Sequence, residues 1–102
     1  MVRVAVSVGS NLERERNVKD ALLALGKTFG TLLHSPVYES KAYGFDGPPF
    51  YNLVVVFETP LDVHAVRATI EAIENLQGRE KGENRSGSRS LDLDLLLYGD
   101  AV

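Results

Sequence analysis

Leu91-Asp92-Leu93-Asp94-Leu95 alternates apolar and acidic residues one by one, and this period of two leaves few folds open to the chain. Side chains at i and i+2 of a strand share a face. The segment therefore reads as a half-buried strand, with Leu91, Leu93 and Leu95 turned into a core and Asp92 and Asp94 together on the opposite side. Aspartate is depleted in strands, so two on one face need a reason. At roughly 6 Å apart they repel by about 0.7 kcal/mol in water and by about 3 kcal/mol at an effective dielectric near 20. Either the pair is a solvated outer face, where the repulsion is tolerable, or a cation neutralises it. Mg²⁺, held by hard oxygen ligands together with phosphates, suits two carboxylates.

A basic, glycine-rich stretch from Gly78 to Ser90 runs directly into this strand and carries Arg79, Lys81, Arg85 and Arg89. Arginine offers a fork of donors matched to phosphate, and lysine a compact point charge. Gly78, Gly82 and Gly87 let a loop flex and approach a ligand closely. Glu80 and Glu83 are interleaved, so in isolation the stretch also reads as a charge-balanced surface loop. Beside a carboxylate pair, phosphate with metal is the better reading.

The remaining elements follow from pattern. Val2, Val4, Val6 and Val8 alternate with Arg3, Ala5 and Ser7, which predicts a first strand. Gly9-Ser10-Asn11 is a turn in which Ser10 or Asn11 caps the next element. Val18, Ala21, Leu22 and Leu25 fall on one helix face, with Glu13, Arg14, Glu15, Arg16, Lys19 and Asp20 as its solvated side and Gly26 as its stop. Thr31–Ser40 reads as a strand that Pro36 confines to an edge or a bulge. A loop follows to Pro49, and Leu53-Val54-Val55-Val56-Phe57 suits a central strand over Phe50–Glu58. Thr59-Pro60-Leu61-Asp62 predicts a helix start with Thr59 as cap, Pro60 in first position and Asp62 reaching back as in a capping box. Val63, Val66, Ile70, Ile73 and Leu76 form its buried stripe. His64, Arg67, Glu71 and Glu74 lie opposite, and the helix ends near Gln77-Gly78. The order β-α-β-β-α-β predicts an α+β, ferredoxin-like sandwich, an antiparallel sheet with two helices on one face.

Size and charge narrow the function classes. The 102 residues suit one domain spanning 1–102. A net charge of −3 gives no long-range attraction to nucleic acid. There is no cysteine, hence no disulfide framework or thiolate metal site. No apolar run reaches membrane-spanning length and no signal peptide is visible, so no membrane partner and a cytoplasmic location are expected. No Gly-x-x-x-x-Gly-Lys-Ser/Thr occurs, so this is not a P-loop.

Taken together, Gly78-Arg79 and Arg85-x-Gly-x-Arg-Ser-Leu-Asp-Leu-Asp-Leu-Leu-Leu-Tyr-Gly-Asp resemble the signature of the 6-hydroxymethyl-7,8-dihydropterin pyrophosphokinases of folate biosynthesis. Gly9-Ser10-Asn11-Leu12, Phe50-Tyr51-Asn52 and Glu58-Thr59 agree in order and spacing, and the resemblance covers essentially the whole chain. It implies transfer of pyrophosphate from ATP to the hydroxymethyl group of a reduced pterin, giving AMP. By the same resemblance, Asp92 and Asp94 hold two Mg²⁺ ions with the ATP phosphates. Arg79 and Arg89 join them in catalysis. Glu74, Arg79, Lys81, Arg85 and Arg89 bind ATP, and Ser40, Tyr43, Phe50 and Asn52 lie on the pterin side.

The chain also departs from the family pattern. Ser86 stands where the family loop commonly has tryptophan, and Ser40-Lys41-Ala42 replaces Thr-Pro-Pro. The family continues beyond the position of Asp100 with a further pterin-stacking aromatic and ATP contacts, whereas this chain stops at Val102. A homodimer that covers an open sheet face or edge is therefore expected. The alternative readings are a non-catalytic relative that binds nucleotide with magnesium, or a protein-interaction module.

Overall fold

The computed structural model describes residues 1–41, 48–80 and 91–100, with the backbone alone for 78–80. The elements run β1 (Val2–Ser10), α1 (Arg14–Phe29), β2 (Leu33–His34), β3 (Tyr38–Ser40), β4 (Phe50–Thr59), α2 (Val63–Glu80) and β5 (Asp92–Tyr98). The sheet is ordered β2-β4-β1-β5, with β3 also on β4, and every pairing is antiparallel. This is the α+β, ferredoxin-like arrangement that the order of elements predicts. The segment around Pro36 lies at the sheet edge, as expected, but the anticipated single strand over Thr31–Ser40 is two short ones, β2 and β3, in succession along the outer side of β4.

Register assigns the two sheet faces. Val4, Val6 and Val8 pair with Phe57, Val55 and Leu53 on one side and with Tyr98, Leu95 and Leu93 on the other. These residues belong to, or pack against, one core cluster with Val18, Ala21 and Leu25 of α1 and Val66 and Ile70 of α2. Both helices thus cover the same face. Burying such a Val or Leu side chain contributes about 1.5–3 kcal/mol relative to exposure, so this face dictates the register. A bulge beside Ala5 and Val6 leaves Leu96 out of the pairing, since Ala5 faces Leu97 while Val6 faces Leu95.

Several boundaries differ from expectation, each for a local reason. Neither Ser10 nor Asn11 caps α1. Ser10 Oγ donates to the Leu12 carbonyl and Asn11 Nδ2 to the Pro48 carbonyl, while Glu13 takes the cap position, at φ 42°, with no side-chain bond to a helix amide. The helix passes through Gly26 and ends at Gly30, whose φ of 87° favours glycine. The extra turn brings Phe29 onto Phe57 in a stacked pair with ring centres 4.1 Å apart. Helix α2 starts three residues later than Pro60 because Asp62 is the effective cap, its Oδ1 accepting the Ala65 N–H at 2.8 Å. Thr59 Oγ1 instead accepts the Leu61 N–H. At the far end α2 continues through Gly78 and Arg79 to Glu80, so Gly78 is helical and not part of a loop. Leu76 is 58% exposed and Gln77 is buried in its place. Gln77 is tolerated inside because its Nε2 donates to the Asn17 carbonyl of α1 at 2.8 Å.

Candidate functional site

The sheet face away from the helices is built row by row across the strands. At one end Leu33, Val56, Ala5 and Leu97 are aligned. In the middle come Val54, Ser7 and Asp94. At the other end stand Tyr38, Asn52, Gly9 and Asp92, with Ser40 beside Phe50 in the next row. Directly paired residues in antiparallel strands stand about 4.5–5.5 Å apart, so this face grades from apolar at one end to polar at the other. Asp92 and Asp94 are both exposed, on either side of buried Leu93, as the alternation of the segment predicts.

Gly9 is the midpoint of the polar row. A Cβ there would lie 3.3 Å from Asn52 Oδ1, 3.7 Å from Phe50 Cδ2 and 3.9 Å from Asp92 Cβ. The absence of a side chain lets Asn52 and Phe50 of β4 approach Asp92 of β5 across β1. Asn52 is also oriented from its other side, its Nδ2 donating to Ser40 Oγ at 2.7 Å. Three of the four anticipated pterin-side residues, Ser40, Phe50 and Asn52, are therefore neighbours; Tyr43 lies outside the described residues.

Among the described residues β5 stands at the edge of the sheet, and an edge strand presents backbone groups without a neighbouring strand. Glu74 of α2 meets one of them: its Oε2 accepts the Leu93 N–H at 2.6 Å. That amide lies midway between the two aspartates. Glu74 is thus half-buried and not part of the solvated side of α2. Its carboxyl is pushed above the usual range, first by burial, against which the Leu93 N–H pulls it down. A hydrogen bond with Asp92 and the charges of Asp92 and Asp94 raise it further.

Among the described residues no three acidic or imidazole side chains form a metal cage. The donor set is two exposed carboxylates on one strand face, with the third carboxylate engaged by a backbone amide. Two hard oxygen groups open to solvent fit a small divalent cation whose other ligands come from water or phosphate. Of the anticipated basic residues, Arg79 sits in the last turn of α2, while Lys81, Arg85 and Arg89 lie outside the described residues. Sequence reasoning gave Ser7 no part in the site and read Gly9-Ser10-Asn11 as a turn, beside the active site by the family resemblance; Gly9 and Ser10 are instead the last residues of β1. The glycine stands in the Gly-Ser-Asn motif, but its place opposite Asp92 depends on the sheet register.

A family model described as 7,8-dihydro-6-hydroxymethylpterin-pyrophosphokinase matches residues 5–102. The chain is 36% identical over 104 residues to the 2-amino-4-hydroxy-6-hydroxymethyldihydropteridine pyrophosphokinase of Pseudomonas putida, covering 99% of this chain and 86% of that protein. It is 37% identical over 106 residues to the protein of the same name in Haemophilus influenzae, of which it spans 66%. It is 38% identical over 99 residues to the mitochondrial folate synthesis bifunctional protein of Pisum sativum, covering 94% of this chain and 19% of that protein.

Proposed function

The chain belongs to the 7,8-dihydro-6-hydroxymethylpterin-pyrophosphokinase family, and from that premise we propose that it transfers pyrophosphate from ATP to 6-hydroxymethyl-7,8-dihydropterin, releasing AMP. The observation that carries this reading is the polar row Asn52–Gly9–Asp92. It brings the anticipated pterin-side residues and the carboxylate pair to one end of the same open face, with only the side-chain-free Gly9 between Asn52 and Asp92, so that a pterin beside Asn52 and a polyphosphate beside the aspartates would be neighbours.

In this reaction the hydroxymethyl oxygen attacks the β-phosphorus of ATP, the bond from that phosphorus to the α,β-bridging oxygen breaks, and the hydroxyl proton leaves to solvent. Asn52, oriented by Ser40, hydrogen-bonds the pterin edge, and Phe50 packs on the ring. Asp92 and Asp94 would hold two Mg²⁺ ions, whose chemistry is neutralisation of phosphate charge and alignment of the polyphosphate. Glu74 holds the strand between the two aspartates through the Leu93 amide, so that the pair keeps a common face. Arg79, Lys81, Arg85 and Arg89 supply positive charge for the phosphates and, for Arg79 and Arg89, for the charge that develops in transfer.

The reading includes a cytoplasmic setting and a homodimer. Among the described residues no helix is long and apolar enough to cross a membrane. Exposed Leu33 and Leu97 lie in the apolar row at one end of the open face, which a second copy would cover. Sedimentation at micromolar concentration tests the dimer, and a clean monomer contradicts it. Incubation with ATP, magnesium and the reduced pterin tests the activity. AMP and a pterin diphosphate should form together, in equal amounts and only with the pterin present. Absence of AMP, or release of ADP instead, contradicts the proposal.

A further inference from the structure

Arg14 opens α1 within a run of charged residues, yet its side chain is only 27% exposed. Three groups surround its guanidinium. Nη1 lies 2.7 Å from Glu39 Oε2 and donates to the Pro49 carbonyl at 3.1 Å. The guanidinium carbon stands 3.8 Å from the centre of the Tyr51 ring. Glu39 belongs to β3 and Pro49 directly precedes β4, so one side chain grips both ends of the connection between these strands. Asn11, from the same turn as Arg14, holds the preceding carbonyl, that of Pro48, at 3.0 Å. Proline fixes its own φ, so two successive prolines give this end of the connection little freedom, and Phe50 follows directly.

We propose that Arg14 is a positioning residue for Ser40, Phe50 and Asn52: it ties β3 to the start of β4 from the helix side and so sets the spacing of the polar side chains on the open face. The link is short. Ser40 adjoins Glu39, Phe50 adjoins Pro49, and Asn52 is bonded to Ser40. Lysine cannot replace this arrangement fully, because a point charge on a flexible stem does not stack on Tyr51 while reaching both a carboxylate and a carbonyl. The assignment of the three positioned residues to the pterin rests on the proposed function; their positioning by Arg14 does not.

Two readouts on Arg14→Met and Arg14→Lys test this. Methionine keeps an unbranched apolar stem against Tyr51 and removes the donors and the charge; lysine restores the charge alone. In ligand-free protein, the side-chain amide resonances of Asn52 should shift and broaden in Arg14→Met, less so in Arg14→Lys, while the Leu93 amide stays in place. On titration with 6-hydroxymethyl-7,8-dihydropterin, Arg14→Met should bind about tenfold more weakly, as expected when positioning groups shift by a fraction of an ångström. Arg14→Lys should fall between, and Mg-ATP binding should be unchanged in both. Unmoved Asn52 resonances in Arg14→Met overturn the proposal. So do shifts spread through α2 with equal loss of pterin and Mg-ATP binding, which mark a general effect on folding. Shifted Asn52 resonances in a protein whose wild type binds no pterin uphold the positioning and overturn the substrate assignment instead.

Discussion

Replacing Asp94 by asparagine removes one charge and almost no volume, so it separates a metal site from a structural pair. Side chains at i and i+2 of a strand stand roughly 6–7 Å apart. Two unit charges at that distance repel by about 0.6–0.7 kcal/mol in water and by about 2.4–3 kcal/mol at an effective dielectric of 20. Both aspartates are exposed, which favours the lower end, while the Glu74 carboxyl beside them adds to the local negative potential. Metal-free Asp94→Asn should therefore be more stable than the wild type by about 0.5–2 kcal/mol. For a domain of this size each kcal/mol moves the melting temperature by about 4–8 °C. Ligand binding should show the opposite trend. A ligand at a hundred times its Kd stabilises by about 2.7 kcal/mol, and most of this gain from Mg-ATP should vanish in the variant. Thermal melts of both proteins, with and without Mg-ATP, measure the two effects together. A metal-free variant that melts lower than the wild type, with its Mg-ATP stabilisation intact, would refute the reasoning, because the pair would then be a structural element without a metal role.

The Glu74 carboxyl is held above its ordinary 4.5, so between that value and its raised folded one the native state binds a proton that the unfolded chain has lost. Its contribution to stability is thus greatest below pH 4.5 and declines as pH rises through the folded value. Glu74→Gln keeps an acceptor for the Leu93 amide, and urea titrations across pH should show that this part of the decline is gone; identical pH profiles contradict the assignment. Gly9→Ala places a methyl group 3.3 Å from Asn52 Oδ1, which should cost about 1 kcal/mol of stability and weaken pterin binding about tenfold, read by calorimetric titration against unchanged Mg-ATP binding. Glu13 adopts a left-handed backbone at φ 42°, so Glu13→Gly should raise stability by up to about 1 kcal/mol in chemical denaturation, and a loss would show that the side chain outweighs the strain.

The parts of the fold that were legible in the sequence are those governed by local periodicity. The alternation at Leu91–Leu95 and at Val2–Val8 put the correct residues on each face, and Pro36 correctly marked an edge. Helix ends were harder, because several residues competed for each role. Gly26 is the stop that the sequence suggests, but the helix runs on to Gly30, where Phe29 gains its contact with Phe57. Thr59 and Asp62 both resemble caps, and only Asp62 has its oxygen on the helix amide. Buried Gln77 and half-buried Glu74 broke the simple division into apolar and solvated sides, since each has a partner on another element. The convergence of Gly9, Asn52 and Asp92 needs the sheet order, which no single segment carries. Arg14 gave no local signal, because its partners lie 25 to 37 positions along the chain.

The most direct test is to locate the metal. Mn²⁺ can replace Mg²⁺ together with a non-hydrolysable ATP analogue, and its paramagnetism broadens nuclear resonances according to distance. Adding both to isotope-labelled protein should broaden the amides of Asp92–Leu95, Ser7 and Gly9 most strongly, with Asn52 affected and the Arg3–Glu58 end of the same sheet unaffected. Broadening centred on Arg3 and Glu58, or none along β5, would contradict the claim that nucleotide and pterin meet at the polar end of the open face.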